Sequence, residues 1–294
     1  MTLENNHKNG DGTWNATVAA PLRPLDGASL LTLRLPAGLA QGSLSGRYFL
    51  ARCGAQTARE RDENWQMYLR RPLFVATQRR APTENKQEEE GNQRAEVKAV
   101  DEEKVWELLL PVGSDPGYHW LAEQAVGATI NLIGPLGQGF ALPAHSRHLL
   151  LLATTDRAAI LLPLLDPILD KGGHVTLVLA TTPGNENPLL PLLPLPVEVR
   201  LATTEQEWQK QLTETLPWAD QLCAALPATH LQPLADLIRR KRFRLDPGFA
   251  QVLIEADLVC GVGACLACIV PIANGGYTRA CVHGPVFDLT ALVR

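Results

Sequence analysis

The stretch "CGVGACLACIVPIANGGYTRAC" (260–281) holds four of the chain's six cysteines, Cys260, Cys265, Cys268 and Cys281, in the order C-x4-C-x2-C-x12-C. Three thiols within nine residues cannot converge from a regular helix or strand, so the backbone must wrap around what they bind. The residues between them, Gly261, Gly263, Ala264 and Ala267, are as small as such a wrap requires. Glycine supplies positive φ where the loop doubles back. Small side chains also admit backbone N–H groups to the sulfurs, which stabilises a reduced iron–sulfur cluster. The spacing is that of a plant-type [2Fe–2S] centre. Structural zinc, the alternative, favours paired C-x2-C knuckles or a histidine pair, which this segment lacks. His283 reads as a surface turn residue. A [2Fe–2S] centre moves one electron at a time, so the chain is expected to be a carrier between a donor and an acceptor.

The other bulk features set limits. A chain of 294 residues has room for two or three domains. With 46% hydrophobic and 20% charged residues and a net charge of −4, nothing points to nucleic acid or to an anionic membrane. The N-terminal "MTLENNHKNGDG" has no apolar signal core, and runs such as "LLLLA" (149–153) and "AAILLPLL" (158–165) fall far short of the ~20 residues that span a bilayer. Cys53 and Cys223 are too far apart to propose a disulfide framework, and clustered thiols in a reducing compartment bind metal. A soluble, cytoplasmic protein is expected.

The patterning divides the chain. Residues 1–12 read as a disordered tail. Over 13–142, "ASLLTLRLP" (28–36), "SGRYFLARC" (45–53), "RRPLFVATQ" (70–78), "VWELLLPVG" (105–113) and "ATINLIGPLG" (128–137) predict an antiparallel β-barrel. The charged stretch 79–104 reads as a solvated hairpin insertion. From 143 to 244 strands alternate with helical segments, "LLLLATTD", "RAAILLPLLDPILDKGG", "HVTLVLATTPG", "PVEVRLATT", "EQEWQKQLTETL" and "LQPLADLIRRKRF", predicting a parallel α/β domain. The proline-dense "NPLLPLLPLPVE" (187–198) reads as an extended connection. Residues 245–294 form the cysteine module.

"CGVGACLACIVPI…YTRACVHGPVFD" resembles the cluster segment of the electron-transfer subunit of type B dihydroorotate dehydrogenase, in the ferredoxin reductase-like superfamily. "RRPLF" (70–74), "GPLGQGF" (134–140), residues 28–36 and "GRYF" (46–49) fit that family in the same order, so the similarity runs over roughly 14–294. The resemblance implies an FAD-binding barrel, a nicotinamide-type α/β domain and a small C-terminal [2Fe–2S] module. It places FAD contacts at Arg71, Pro72, Leu73 and Phe74, and further ones at Leu108, Leu109, Leu110, Gly117 and Tyr118. Arg71 can pair with a pyrophosphate through a charge-assisted hydrogen bond. Phe74 departs from the pattern, because the family has a serine whose hydroxyl reaches the flavin ring. The cluster ligands implied are Cys260, Cys265, Cys268 and Cys281.

The nicotinamide site departs furthest. Where the family has a glycine-rich turn that lets backbone approach dinucleotide phosphates, this chain has "ATTDRAAI" (153–160), and "AALPA" (224–228) replaces a later "CGP" turn. Asp156 is expected to cap a helix and repel phosphate. NAD(H) binding is therefore expected to be weak or absent, with threonine hydroxyls replacing glycine amides as a milder possibility. No general acid, base or nucleophile constellation appears. The resemblance implies an FMN-containing dihydroorotate dehydrogenase subunit as partner in a hetero-oligomer. The alternatives are the flavin subunit of another oxidoreductase such as a hydrogenase, or a non-redox assembly subunit built on zinc. A self-contained NADH reductase is disfavoured by the turn at 153–160.

Overall fold

Alternation of apolar residues at period two closes the first half of the chain into a barrel. The computed structural model describes residues 9–36, 39, 44–54, 67–80, 103–184 and 188–294. Its strands are β1 (Trp14–Val18), β2 (Arg23–Pro24), β3 (Ala28–Pro36), β4 (Tyr48–Ala51), β5 (Arg71–Arg80), β6 (Glu103–Pro111) and β7 (Thr129–Leu136). They run in the order β1-β7-β4-β5-β6-β3, with β2 beside β3, and an antiparallel β1–β3 pairing closes six of them into a ring. Successive side chains of a strand face opposite ways. Leu31, Leu33, Leu35, Phe49, Leu73, Val75, Trp106, Leu108 and Leu110 accordingly meet inside the barrel. Trp106 and Phe49 sit edge to face, with centroids 5.5 Å apart. Helix α1 (Pro116–Ala122) adds Leu121 to this core.

The five strands read from the sequence are β3 to β7; β1 and β2 were not anticipated. Strands β5 and β6 pair out to Arg80 and Lys104; of the charged stretch, residues 81–102 lie outside the described residues. Of the expected disordered tail, 1–8 lie outside the described residues. Residues 9–12 are ordered in a turn: Asn9 donates to Thr13 Oγ1 at 2.7 Å and Thr13 N donates to Asp11 at 3.0 Å.

The second sheet holds β8 (His148–Thr154), β9 (His174–Ala180), β10 (Val197–Ala202), β11 (Gln221–Ala225) and β12 (Ala250–Leu253), all parallel. Their order is β10-β9-β8-β11-β12, so the direction of winding reverses between β8 and β11. The expected helix after β8 is instead a 3-10 run, Ala158–Leu164, followed by the short α2 (Leu165–Leu169). Pro163 and Pro167 each lack a backbone N–H, so a long α-helical ladder cannot form there. Helix α3 (Glu205–Thr215) is capped by Thr204, which accepts from Glu207 N, and α4 (Leu231–Arg242) ends at Phe243 with φ of 65°. The proline-dense connection carries one 3-10 turn, Leu190–Leu192.

The cysteine segment leaves from this sheet and returns to it. After β12 the chain forms the cluster loop, the hairpin β13 (Ile269–Pro271) and β14 (Tyr277–Arg279), and α5 (Ala280–His283). Strand β15 (Val286–Asp288) then pairs antiparallel with β12 at the sheet edge. The cysteines thus sit on an excursion anchored at both ends. The barrel clamps it from the other side: Gln138 N donates to Gly284 O at 2.6 Å, and Val286 N donates to Gln138 O at 3.4 Å. Among the described residues no helix is long and apolar enough to cross a membrane.

The barrel core sets the first test. Trp106 is fully buried and its Nε1 has no hydrogen-bond partner. Trp106→Ala is expected to lower stability by about 3–5 kcal/mol in urea titrations. Trp106→Phe should cost much less, since it leaves no buried donor unmet. Equal losses in both variants would contradict this packing.

Candidate functional site

The wrap foreseen for the cysteines is present. Gly261 and Gly263 have φ of 71° and 76°, and Leu266 holds φ of 59°, a conformation costly for a side-chain-bearing residue. A Cβ on Gly261 would lie 2.7 Å from Leu136 and 3.0 Å from Leu50, and one on Gly263 would lie 2.7 Å from Val282. The loop therefore packs directly on barrel strands β4 and β7, a contact only glycine allows.

The pKa shifts mark Cys265 as a neighbour of the Cys260 thiol and Cys268 as a neighbour of the Cys281 thiol. Cys281 N donates to Cys268 Sγ at 3.4 Å. Four thiolates, two to each iron, are the donor set of a two-iron cluster. Backbone N–H groups complete the fit: Cys265, Val262 and Ala264 donate toward Cys260, and Gly263 toward Cys281.

The environment divides the thiols. The Cys265 N–H, followed by those of Val262 and Ala264, pulls the Cys260 thiol down to about 6. Burial, with Cys268 beside it, pushes Cys281 up to about 12. Outside the cluster, burial pushes Cys53 up to about 12 and Cys223 well above the usual thiol range.

Next to the cluster loop lies a cleft of about 1070 Å³ between the barrel and the parallel sheet. Arg71, Pro72, Phe74, Leu109 and Tyr118 line its barrel side, and Leu258, Val259, Ala267 and Ile269 its cluster side. Of the flavin positions expected from the sequence, Leu73, Leu108 and Leu110 do not present side chains to this cleft. The strand period sends their side chains into the barrel core, leaving Phe74 and its cross-strand neighbour Leu109 to face the cleft. Tyr118 Oη donates to Pro72 O at 3.2 Å, which locks the α1 end of the cleft to β5.

Arg71 and α1 meet at Asp115, which the sequence reading did not single out. One Asp115 oxygen accepts from Arg71 Nε at 2.8 Å, Gly117 N at 2.8 Å and Tyr118 N at 3.1 Å. Burial alone would raise this carboxyl; the Arg71 and backbone hydrogen bonds outweigh it and hold Asp115 below the usual range. Arg71, expected to face a pyrophosphate, is here paired with the chain's own carboxylate, together with the Gly117 and Tyr118 amides. The signal was legible: Asp followed by Pro116 at the first helical position is an N-terminal signature.

The nicotinamide side is closed differently from expectation. Asp156 caps no helix: Arg157 holds the position before the 3-10 run, with no side-chain cap. Asp156 instead packs against Gly27, where an added Cβ would fall 2.9 Å from its own. Arg157 reaches across to Glu255 at 2.6 Å, joining the turn after β8 to the segment after β12. In open α/β sheets ligands bind outside the carboxyl ends of the strands, where the winding reverses. Here that crevice holds an ion pair and a buried Leu226. Thr154 and Thr181 contribute buried hydroxyls without partners at the same strand ends.

The architecture defines a class: a flavin-type barrel and a parallel α/β sheet, joined to a C-terminal [2Fe–2S] cysteine loop. This is the ferredoxin reductase-like fold. The structure of an NADH-dependent reduced ferredoxin-NADP oxidoreductase superposes with a TM-score of 0.68 at 17% identity, over 94% of this chain and 89% of that one. Residues 255–293 match the family described as "Iron-sulfur cluster binding domain of dihydroorotate dehydrogenase B". A relative from Shouchella clausii, the electron transfer subunit of dihydroorotate dehydrogenase B (NAD(+)), is 27% identical over 247 residues, covering 79% of this chain and 83% of the relative. A subunit of the same description from Desulforamulus reducens is 27% identical over 58% of this chain and 68% of its own. The resemblance read from the sequence is the relationship these comparisons find.

The thiol environments give a direct test. In metal-free chain at pH 7, Cys260 is mostly thiolate and Cys281 is protonated, so iodoacetamide should modify Cys260 far faster than Cys281. Its rate should climb through about pH 6, read by peptide mass spectrometry. Equal labelling of the two would contradict this division of the thiols.

Proposed function

We propose that this chain is the electron-transfer subunit of a dihydroorotate dehydrogenase-type complex, wiring FAD in the barrel cleft to a [2Fe–2S] cluster on Cys260, Cys265, Cys268 and Cys281. When bound, FAD exchanges electrons in pairs and the cluster exchanges them singly. One observation carries the reading: a single cleft is lined on one side by the flavin strand and on the other by the cluster loop. The chain's own residues do the positioning. Pro72 and Phe74 form the flavin-side wall, Tyr118 braces it, Arg71 offers the anion contact, and the loop amides stabilise the sulfurs.

The far side of the cluster supports a macromolecular acceptor. Cys265 is exposed, and Val262 and Leu266, on the same loop, are exposed apolar side chains. Such a patch marks a protein contact, and an FMN-containing catalytic subunit docked there would bring its acceptor to the cluster's edge. All six cysteines are free thiols, which supports a reducing, cytoplasmic setting.

The donor is a protein or small reductant other than NADH, because the Arg157–Glu255 pair and the glycine-free turn occupy the nicotinamide crevice. Anaerobic titration of the purified flavoprotein with NADH reads this: the flavin band should persist through several equivalents. Rapid, stoichiometric bleaching would overturn it.

A further inference from the structure

The barrel strand that faces the cluster carries a polar atom with no assigned role. Tyr48, in β4, is fully buried, and its hydroxyl has no hydrogen-bond partner. A phenylalanine there would leave nothing unmet, so the hydroxyl calls for an acceptor that arrives from outside the polypeptide. The ring lies against Gly137, where an added Cβ would come within 2.9 Å of Tyr48 Cε1 and 3.0 Å of Gly284 O. That carbonyl already accepts from Gln138 N at 2.6 Å.

On its remaining sides Tyr48 shares an apolar core with Leu50, Cys268 and Cys281, and Cys260 packs at its margin. A phenol keeps its proton at neutral pH, so the hydroxyl is available as a donor. The ring also packs on Phe74, with centroids 5.8 Å apart, and Phe74 lines the flavin cleft. Tyr48 therefore lies between the cleft-lining Phe74 and the core that holds Cys268 and Cys281.

We propose that Tyr48 is a positioning residue for the cluster, its hydroxyl donating a hydrogen bond to cluster sulfur on the Cys268–Cys281 side and thereby raising the reduction potential. The physical reason is charge. Reduction adds one negative charge, and an O–H aimed at sulfur in a low-dielectric site favours the more negative state. The inference rests on the [2Fe–2S] reading above.

The test is a redox titration of anaerobically purified wild type and Tyr48→Phe, followed by electron paramagnetic resonance of the reduced cluster. Losing the O–H should shift the midpoint to more negative potential, by about tenfold in the reduction equilibrium, or about 59 mV for one electron. Should the phenylalanine variant fail to hold its cluster, 3-fluorotyrosine incorporation replaces it. That phenol is the more acidic donor and should move the midpoint positive. An unchanged midpoint in a cluster-loaded variant overturns the role of Tyr48. A wild type without any [2Fe–2S] signal overturns the cluster reading itself, a separate outcome.

Discussion

Strand β4 is buried on both faces, and the rest of the molecule is arranged around that constraint. Its four residues, Tyr48 to Ala51, are all inaccessible. The period of two sends Phe49 and Ala51 into the barrel core and Tyr48 and Leu50 outward onto the core shared with the cluster segment. A strand covered on both sides cannot tolerate a gap, so the cysteine loop must approach closely enough that only glycine fits at 261, against Leu50 and Leu136. Packing of the barrel thereby fixes the distance between flavin wall and cluster loop. The clamp from Gln138 to Gly284, and the return of β15 to the sheet edge, hold the loop from its other end.

The two redox sites and the nicotinamide crevice have been treated differently. At the cluster, glycines and backbone amides surround the sulfurs. At the flavin cleft the wall is intact, with Asp115 standing on the donors an anion would take. At the sheet's switch point Arg157 is bonded to Glu255 and Asp156 is packed on Gly27. Asp156 and Arg157 line the same cleft as Phe74 and Ala267.

Much of this was legible in the sequence, and what was not has identifiable causes. Cysteine spacing announces its chemistry because ligands must converge, and β3 was readable because Leu31, Leu33 and Leu35 alternate with Thr32 and Arg34. Strand β1, "WNATV", was invisible since its inward positions are only Ala16 and Val18. The 3-10 run after β8 was obscured by an apolar stretch that fits a buried helix of either kind, with Pro163 deciding the outcome. The expected flavin positions fall on strands that border the cleft, but a carry-over by position cannot tell which way Leu73, Leu108 and Leu110 face. The Arg157–Glu255 pair joins residues 98 apart, and Tyr48's unmet hydroxyl depends on three separate segments; neither leaves a local trace.

The central claim is that one chain holds a flavin wall and a two-iron cluster across a shared cleft. Cofactor content of anaerobically purified protein, by iron, sulfide, zinc and flavin analysis with a visible spectrum, tests it most directly. The account predicts two irons and two sulfides with one FAD per chain. A colourless preparation holding one zinc, with neither iron nor flavin, would contradict it.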